Sequence, residues 1–352
     1  MTNPIDRSSP PCGRSTPVGR RNKPCRRTAI IRYALGIDLG GTGILGAVVD
    51  QNGRMLLSVE RKTPAAEGPT AVMSTLLGVA RELLAKAPQP VMGIGLGIPG
   101  LLDRASGISL VSENFAEWSN VQVLEPFRRE FNLPVDMEND VRVGALGELH
   151  FGAGRRFRSF LFTALGTGVG SGIVLDRQLY RGPYGTAGEF GHITIRPDGP
   201  ACNCGSVGCL EALCSGPAIR RRVLAALAQG RDGGGSQLRK LPESRVNGRA
   251  LAEAARAGDA FAFQMWDEIG TDLGLGILGY YNLMGPEAVI VGGGVALAGE
   301  LLLGPARRLV RSRLMTGIRE HLQIVPAELG DEAGAIGAAT LVPGLVGEIN
   351  PN

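Results

Sequence analysis

Residues 189 to 211 read Glu-Phe-Gly-His-Ile-Thr-Ile-Arg-Pro-Asp-Gly-Pro-Ala-Cys-Asn-Cys-Gly-Ser-Val-Gly-Cys-Leu-Glu, the densest run of chemistry-bearing side chains in this 352-residue chain. His192, Cys202, Cys204 and Cys209 fall in one loop punctuated by Gly and Pro. Three thiols and an imidazole are the ligand set of a closed, tetrahedral, structural Zn²⁺ site. A disulfide between Cys202 and Cys204 would close a strained ring, and six Cys in a chain of this length do not make a disulfide scaffold. Glu189 and Glu211 flank the ligands. Carboxylates placed by a rigid metal knot suit the binding of a polyol better than they suit a core.

Three glycine loops each follow an apolar run: Asp38-Leu-Gly40-Gly41-Thr42, Gly166-Thr167-Gly168-Val-Gly170 and Gly292-Gly293-Gly294-Val295. Glycine lets backbone amides approach phosphate oxygens closely, and Thr adds a hydroxyl donor. One such loop is weak, because glycines also serve plain tight turns. Two related loops with Gly-Thr pairs would clasp a polyphosphate from both sides, although neither is a Walker sequence or a dinucleotide fingerprint. Asp38 reads either as a turn cap or as a ligand of Mg²⁺ through water, since that ion keeps most of its own waters. Glu138-Asn139-Asp140 ends one apolar run and opens a helix. An N-cap needs only one such residue, which leaves Asn139 to hold a hydroxyl and Asp140 to take a proton. Upstream, Ser112-Glu-Asn114-Phe-Ala-Glu-Trp118 offers an amide at Asn114 and an indole that serves equally as a hydrophobic anchor.

Positioning these groups needs an α/β framework. Tyr33–Val49 reads as a hairpin with a glycine loop at its tip, and Asn52-Gly53 turns the chain into a third strand over 55–61. Helical spacing runs from Thr70 to Ala87, a buried strand covers Val91–Ile98, a helix 123–131, a short strand Val135–Met137 and a helix 141–151. The order of strand, Gly-Thr-Gly loop, strand, turn, strand then recurs over 159–181. A duplication of that length implies two domains of one plan with a cleft between them. The remainder is mostly helical (217–228, 250–257, 261–283, 301–314), with strands at 287–291 and 323–326. A small-residue helix over 331–342 is expected to return to the first half. The domains are therefore expected at 33–140 plus about 327–345, and at 141–326 with the metal loop.

Residues 1–32 carry eight Arg and Lys against Asp6, so they hold +7 of the formal +4, and the rest of the chain is mildly acidic at −3. The basic pI of 8.8 is thus no sign of a nucleic-acid-binding body. The tail has five Pro and no apolar periodicity, which predicts disorder, or a start codon assigned too far upstream. No apolar run is long enough to cross a bilayer. Thiol ligands together with few Cys predict a reducing cytoplasm.

Together the motifs resemble the ROK family, the bacterial sugar kinases and sugar-responsive repressors of the actin-like ATPase (ribonuclease H-like) superfamily. The likeness covers about Leu35 to Leu341: Gly36-Ile-Asp-Leu-Gly-Gly-Thr42, Leu165-Gly-Thr-Gly-Val-Gly-Ser-Gly172, Glu189-Phe-Gly-His192 with Cys202 to Glu211, and Gly292-Gly-Gly294. Within the family it is most similar to the glucokinases. The resemblance implies ATP-dependent phosphorylation of a hexose at its C6 hydroxyl, glucose before mannose, N-acetylmannosamine, fructose or allose. ATP with Mg²⁺ would be the donor and Asp140 the base. Asn114, Asn139, Asp140, Glu189, His192 and Glu211 would hold the sugar, and His192, Cys202, Cys204 and Cys209 the zinc. It also implies a homo-oligomer, dimer or tetramer, with no membrane or nucleic-acid partner. The repressors carry a helix-turn-helix domain before the first loop, and the residues ahead of Asp38 have no such pattern. Two departures stand out. Gly43 takes the place of a frequent Lys, so either phosphate stabilisation is reduced or the position needs a positive φ. The run Asp140-Val-Arg-Val-Gly-Ala replaces an Ala- and Asn-rich one.

Overall fold

The computed structural model describes residues 31–112 and 115–347. Asn114, with the sugar contact expected of it, and residues 1–30 of the basic tail, with the disorder expected there, lie outside the described residues. The first half runs β1 (Tyr33–Leu39), β2 (Gly43–Asp50), β3 (Met55–Lys62), α1 (Pro69–Lys86), β4 (Ile94–Ile98), β5 (Leu101–Asp103), β6 (Ile108–Val111), β7 (Ser119–Gln122), α2 (Leu124–Phe131), β8 (Val135–Asn139) and α3 (Asp140–Phe151). The second half runs β9 (Phe160–Leu165), β10 (Val169–Leu175), β11 (Gln178–Tyr180), α4 (Leu210–Cys214), α5 (Gly216–Ala228), α6 (Gly248–Arg256), α7 (Ala260–Met284), β12 (Ala288–Gly292), α8 (Glu300–Arg313), β13 (Gln323–Pro326) and α9 (Ala333–Ala339).

The internal repeat extends to whole sheets. One sheet has the order β3-β2-β1-β4-β8 and the other β11-β10-β9-β12-β13. Each begins with an antiparallel three-strand meander and continues with two parallel strands. Strands β1, β4 and β12 are buried along nearly their whole length, as continuous apolar runs covered on both faces must be. Leu76, Val79 and Leu83 of α1 cover one face of the first sheet.

The other face is covered by α9, which contains only Ala, Gly and Ile336. A Cβ at Gly36 of β1 would stand 1.9 Å from the Ala335 carbonyl oxygen, and one at Gly95 of β4 1.8 Å from that of Ala338. A Cβ at Gly337 would meet the Val143 carbonyl of α3 at 1.7 Å. The small-residue helix is thus wedged between the first sheet and α3, and its backbone contact fixes where α3 begins. On its other side α3 crosses β10, where Gly170 and Gly172 leave room for Val141 and Ala145.

Several elements differ from the expected ones. The buried strand starts at Ile94 rather than Val91, and β8 continues to Asn139. The final helix is shorter, preceded by a 3₁₀ turn at Gly330–Glu332. Between α5 and α6 the chain forms two 3₁₀ turns, Gln237–Lys240 and Glu243–Arg245, for which no element was expected. The three-stranded sheet β5-β6-β7 was not expected at all. Just before β7, Trp118 is an anchor: it is 2% exposed, packs on Phe115 with ring centroids 4.9 Å apart, and donates Nε1–H to Ser109 Oγ at 2.8 Å.

Candidate active site

Strands β1, β4 and β8 lie side by side with Asp38 opposite Gly97 and Gly97 opposite Glu138. A Cβ at Gly97 would stand 2.7 Å from Asp38 Oδ1 and 3.5 Å from the Asp140 Cα, so the glycine is what lets the two aspartates approach. Asp38 also presses on Gly334, where a Cβ would come within 2.0 Å of Oδ2. Its Oδ1 is buried with no hydrogen-bond partner, which removes the turn-cap reading. Burial first, and then the charge of Asp140, hold the Asp38 carboxyl well above the ordinary carboxylate range. Asp140 opens α3 and is half-buried. Burial pushes it up to about 6, against the opposing pull of backbone amides, Asn139 and Arg142. A carboxyl so tuned can take a proton near neutral pH. Asn139 caps α3, its Oδ1 accepting the Val141 and Arg142 amides at 3.1 and 3.2 Å. Only its Nδ2, 3.4 Å from the Gly100 carbonyl, remains to face a ligand.

The glycine loops stand around these acids. Gly40 closes the first with a bond from its N–H to the Gly43 carbonyl at 2.8 Å, and Thr63 Oγ1 donates to the Gly40 carbonyl at 2.8 Å. The Gly166 N–H donates to the Gly168 carbonyl at 2.9 Å, and the Gly166 carbonyl accepts the Gly216 N–H at 2.8 Å. Gly293 has φ +80° and lies against the Leu165 backbone, where a Cβ would meet the carbonyl oxygen at 2.5 Å. Gly41, Thr42, Gly166, Thr167, Gly168 and Gly293 line a cleft of about 680 Å³ together with Asn139, Asp140, Glu189, His192 and Glu211. Gly166 and Thr167 also line a second cavity of about 720 Å³, with Gly294 and one face of α6, from its cap Asn247 to its last residue Arg256. The two cavities therefore meet at one glycine loop. Gly292 is buried at the end of β12 and lines neither. Gly43 is not a positive-φ position, and a Cβ there would meet nothing closer than 3.8 Å, so strain does not explain the glycine.

In the 189–211 loop, the ligand atoms of His192, Cys202, Cys204 and Cys209 all lie within 4.8 Å of one another. Three sulfurs and one imidazole nitrogen gathered this closely fit Zn²⁺ in donor type and number. Gly208 (φ +66°) makes the loop possible, since a Cβ there would stand 1.6 Å from the Arg196 carbonyl oxygen. Arg196 in turn reaches the buried Asp272 of α7, which Arg222 also holds at 2.8 Å. Glu211 lies in the first turn of α4, and its Oε2 accepts the Val169 amide at 2.9 Å beside Gly168. This ties the metal loop to the second glycine loop.

The structure adds residues that sequence reasoning missed. Leu101 of the unexpected small sheet, Gly100 and Ser112 that flank its first two strands, and Gly185 and Gly188 before Glu189, wall the first cavity. Glu138 is not a ligand-facing group but a buried one, 1% exposed and surrounded by arginines. The second cavity draws on a helix start with no motif of its own; the Asn247 cap was the one available signal.

The ROK family profile matches residues 34–344. The glucokinase of Thermotoga maritima is 36% identical over 313 residues, 89% of this chain and 98% of that protein. A crystal structure of a ROK family glucokinase from Streptomyces griseus in complex with glucose and AMPPNP has 35% identity and a TM-score of 0.76, covering 88% of this chain and 99% of that one. The xylose repressor of Caldicellulosiruptor bescii is 30% identical over 311 residues, 88% of this chain and 77% of the repressor. The two like sheets are those of the actin-like ATPase fold, and the chain belongs to the ROK family.

Proposed function

We propose that this protein is a hexokinase of the glucokinase type, transferring the terminal phosphoryl group of ATP to the C6 hydroxyl of glucose. One observation carries the reading. Asp140, with its proton affinity raised to about 6, stands in a cleft that joins a second cavity through a glycine loop. The sugar would occupy the end with Glu189, His192 and Glu211, and the nucleotide the end with Gly294 and α6. The glucose and AMPPNP bound by the S. griseus relative support the same pair of ligands.

In this reading Asp140 accepts the C6 hydroxyl proton while the oxygen forms its bond to the γ-phosphorus and the bond to the ADP oxygen breaks. Backbone amides of residues 41–42 and 167–168, beyond the Gly40 and Gly166 amides that close the loops, hold the phosphates in line, and such positioning supplies most of the rate. Asn139 Nδ2 and the Oε1 of Glu211, whose protein partner is the Cys202 sulfur at 3.9 Å, orient sugar hydroxyls. The orphaned oxygen of Asp38 suits the nucleotide's Mg²⁺, held through water. Zn²⁺, when bound by His192, Cys202, Cys204 and Cys209, supplies a crosslink that stiffens the loop carrying the sugar carboxylates. We assign this reading the domain division at 33–140 plus 327–345 and 141–326, a reducing cytoplasm and a homo-oligomeric state. Among the described residues no helix is long and apolar enough to cross a membrane.

The test is ADP release with ATP and a panel of glucose, mannose, N-acetylmannosamine, fructose and allose, repeated with inorganic polyphosphate as donor. Glucose with ATP should give the highest kcat/KM. No sugar-dependent turnover from any pairing would refute the assignment.

A further inference from the structure

Glu138 is a buried carboxylate beside the cleft that the proposed reaction leaves unused. Its Oε1 accepts the Asn139 amide at 3.0 Å and lies 3.6 Å from Arg142 Nη1. Its Oε2 accepts Arg181 Nε at 2.5 Å and lies 3.6 Å from Arg104 Nε. The three guanidinium groups come from three segments that wall the sugar end. Arg104 follows β5 and also donates to the Met137 carbonyl at 2.6 Å and to Asp136 at 2.8 Å. Arg181 follows β11. Arg142, in the first turn of α3, donates Nη1–H to the Gly185 carbonyl at 2.8 Å and Nη2–H to the Ala187 carbonyl at 2.7 Å.

We propose that Glu138 and Arg142 are positioning residues that hold the 182–188 segment in the wall of the sugar cavity, in register with Asp140. That segment contains neither helix nor strand. Gly182, Gly185 and Gly188 all have positive φ, so its backbone has little preference of its own for one path. Its internal ties are few, from the Gly185 N–H to the Gly182 carbonyl at 3.4 Å and the Ala187 N–H to the Arg181 carbonyl at 3.0 Å. The Arg142 fork, at Gly185 and Ala187, together with the Ser171 hydroxyl that donates to the Gly188 carbonyl, therefore supplies order that the segment lacks, and a Lys has no second fixed donor to replace the fork. Glu138 holds the fork in place, and the surrounding arginines compensate the cost of burying its charge. The segment leads directly into Glu189, so its path sets where that carboxylate stands. Arg142 also accounts for one departure from the family's Ala- and Asn-rich run: this chain uses the position as a clamp.

The experiment compares Arg142→Ala, Arg142→Lys and Glu138→Gln with the wild type in two ways. Hydrogen exchange of the substrate-free protein reads the segment without reference to any reaction. Amides of 182–188 should exchange about 10–100-fold faster in Arg142→Ala, the scale of losing hydrogen bonds from a charged group. Arg142→Lys should be intermediate, with β9 and β10 unchanged. Steady-state kinetics rests on the proposed kinase reading: KM for glucose should rise about 10–100-fold, while KM for ATP stays near the wild-type value. Unchanged exchange over 182–188 in all three variants would overturn the proposal. So would ATP and glucose KM values rising together with Lys no better than Ala. If the alanine variant does not fold, Arg142→Lys and Glu138→Gln carry the same comparisons. A wild type without sugar phosphorylation defeats the kinase reading alone, and the exchange data still decide the positioning role.

Discussion

Asp140→Asn separates two consequences of burying the proposed base. The Asp140 carboxyl, ordinarily near 3.8, is pushed up to about 6 by burial. At neutral pH the folded protein must keep it ionised, at a cost of about 3 kcal/mol if the whole shift counts. The side chain is only half-buried, so solvent screening reduces this to about 1–2 kcal/mol. Asn keeps the size and removes the charge, along with its repulsion of Asp38. The variant should therefore lose kcat by about 10²–10⁴-fold, the scale of losing a general base. It should also melt about 2–4 °C higher at pH 8. The gap has a defined pH course. Below about pH 4 the wild-type carboxyl is protonated in folded and unfolded chains alike, and the two proteins should melt together. As pH rises the unfolded chain ionises first, so the wild type loses stability relative to the variant until the gap is complete above about pH 6. Calorimetry from pH 3.5 to 8 and kinetics on the same preparations measure both effects. A variant with near-normal kcat, or one less stable than wild type at pH 8, would refute the reasoning.

Wild-type kcat/KM should fall about tenfold per pH unit below about pH 6, because only ionised Asp140 accepts the proton; a profile flat down to pH 5 would remove Asp140 as the base. Cys204→Ser should lower zinc content from about one per chain, reduce the melting temperature and raise KM for glucose, as metal analysis beside calorimetry will read; full sugar affinity in zinc-free protein would exclude the coupling. Gly168→Ala places a Cβ 2.6 Å from Glu211 Oε2, so KM for glucose should rise about 10-fold through displacement of Glu211 from the Val169 amide, with zinc content unchanged. Gly43→Lys meets open space rather than strain, so its melting temperature should stay near wild type while ATP affinity gains up to about 1 kcal/mol; unchanged ATP kinetics would end the idea of a charge deficit there.

What the sequence disclosed followed from how local each signal is. The two hairpins were legible because Gly-Thr-Gly tips and flanking apolar runs are contiguous, and the cluster of His192 with Cys202, Cys204 and Cys209 because its members fall within one loop. The sheet β5-β6-β7 was not, since its strands are three or four residues long and largely exposed, too short for alternation to register. Trp118 left two readings open because an indole suits a core and a binding loop alike; only the Ser109 and Phe115 contacts decide it. Glu138 looked like part of a polar cluster at the cleft, because its arginines lie at 104, 142 and 181, distances in sequence that no local pattern reveals. The α6 wall of the second cavity offers a helix start, and helix starts are common.

The paired sheets are alike in strand order but not in chemistry. By register, Ala164 stands opposite Gly292 where Asp38 stands opposite Gly97. Ala327 lies against Gly292 where Glu138 lies against Gly97. One copy of the motif thus kept carboxylates at these places and the other has methyl groups. Two identical walls would present a ligand with a twofold choice of orientation. Neutralising one of them gives the cleft a handedness. A ligand with two unlike ends can then tell one wall from the other, and the cleft has one orientation to offer it.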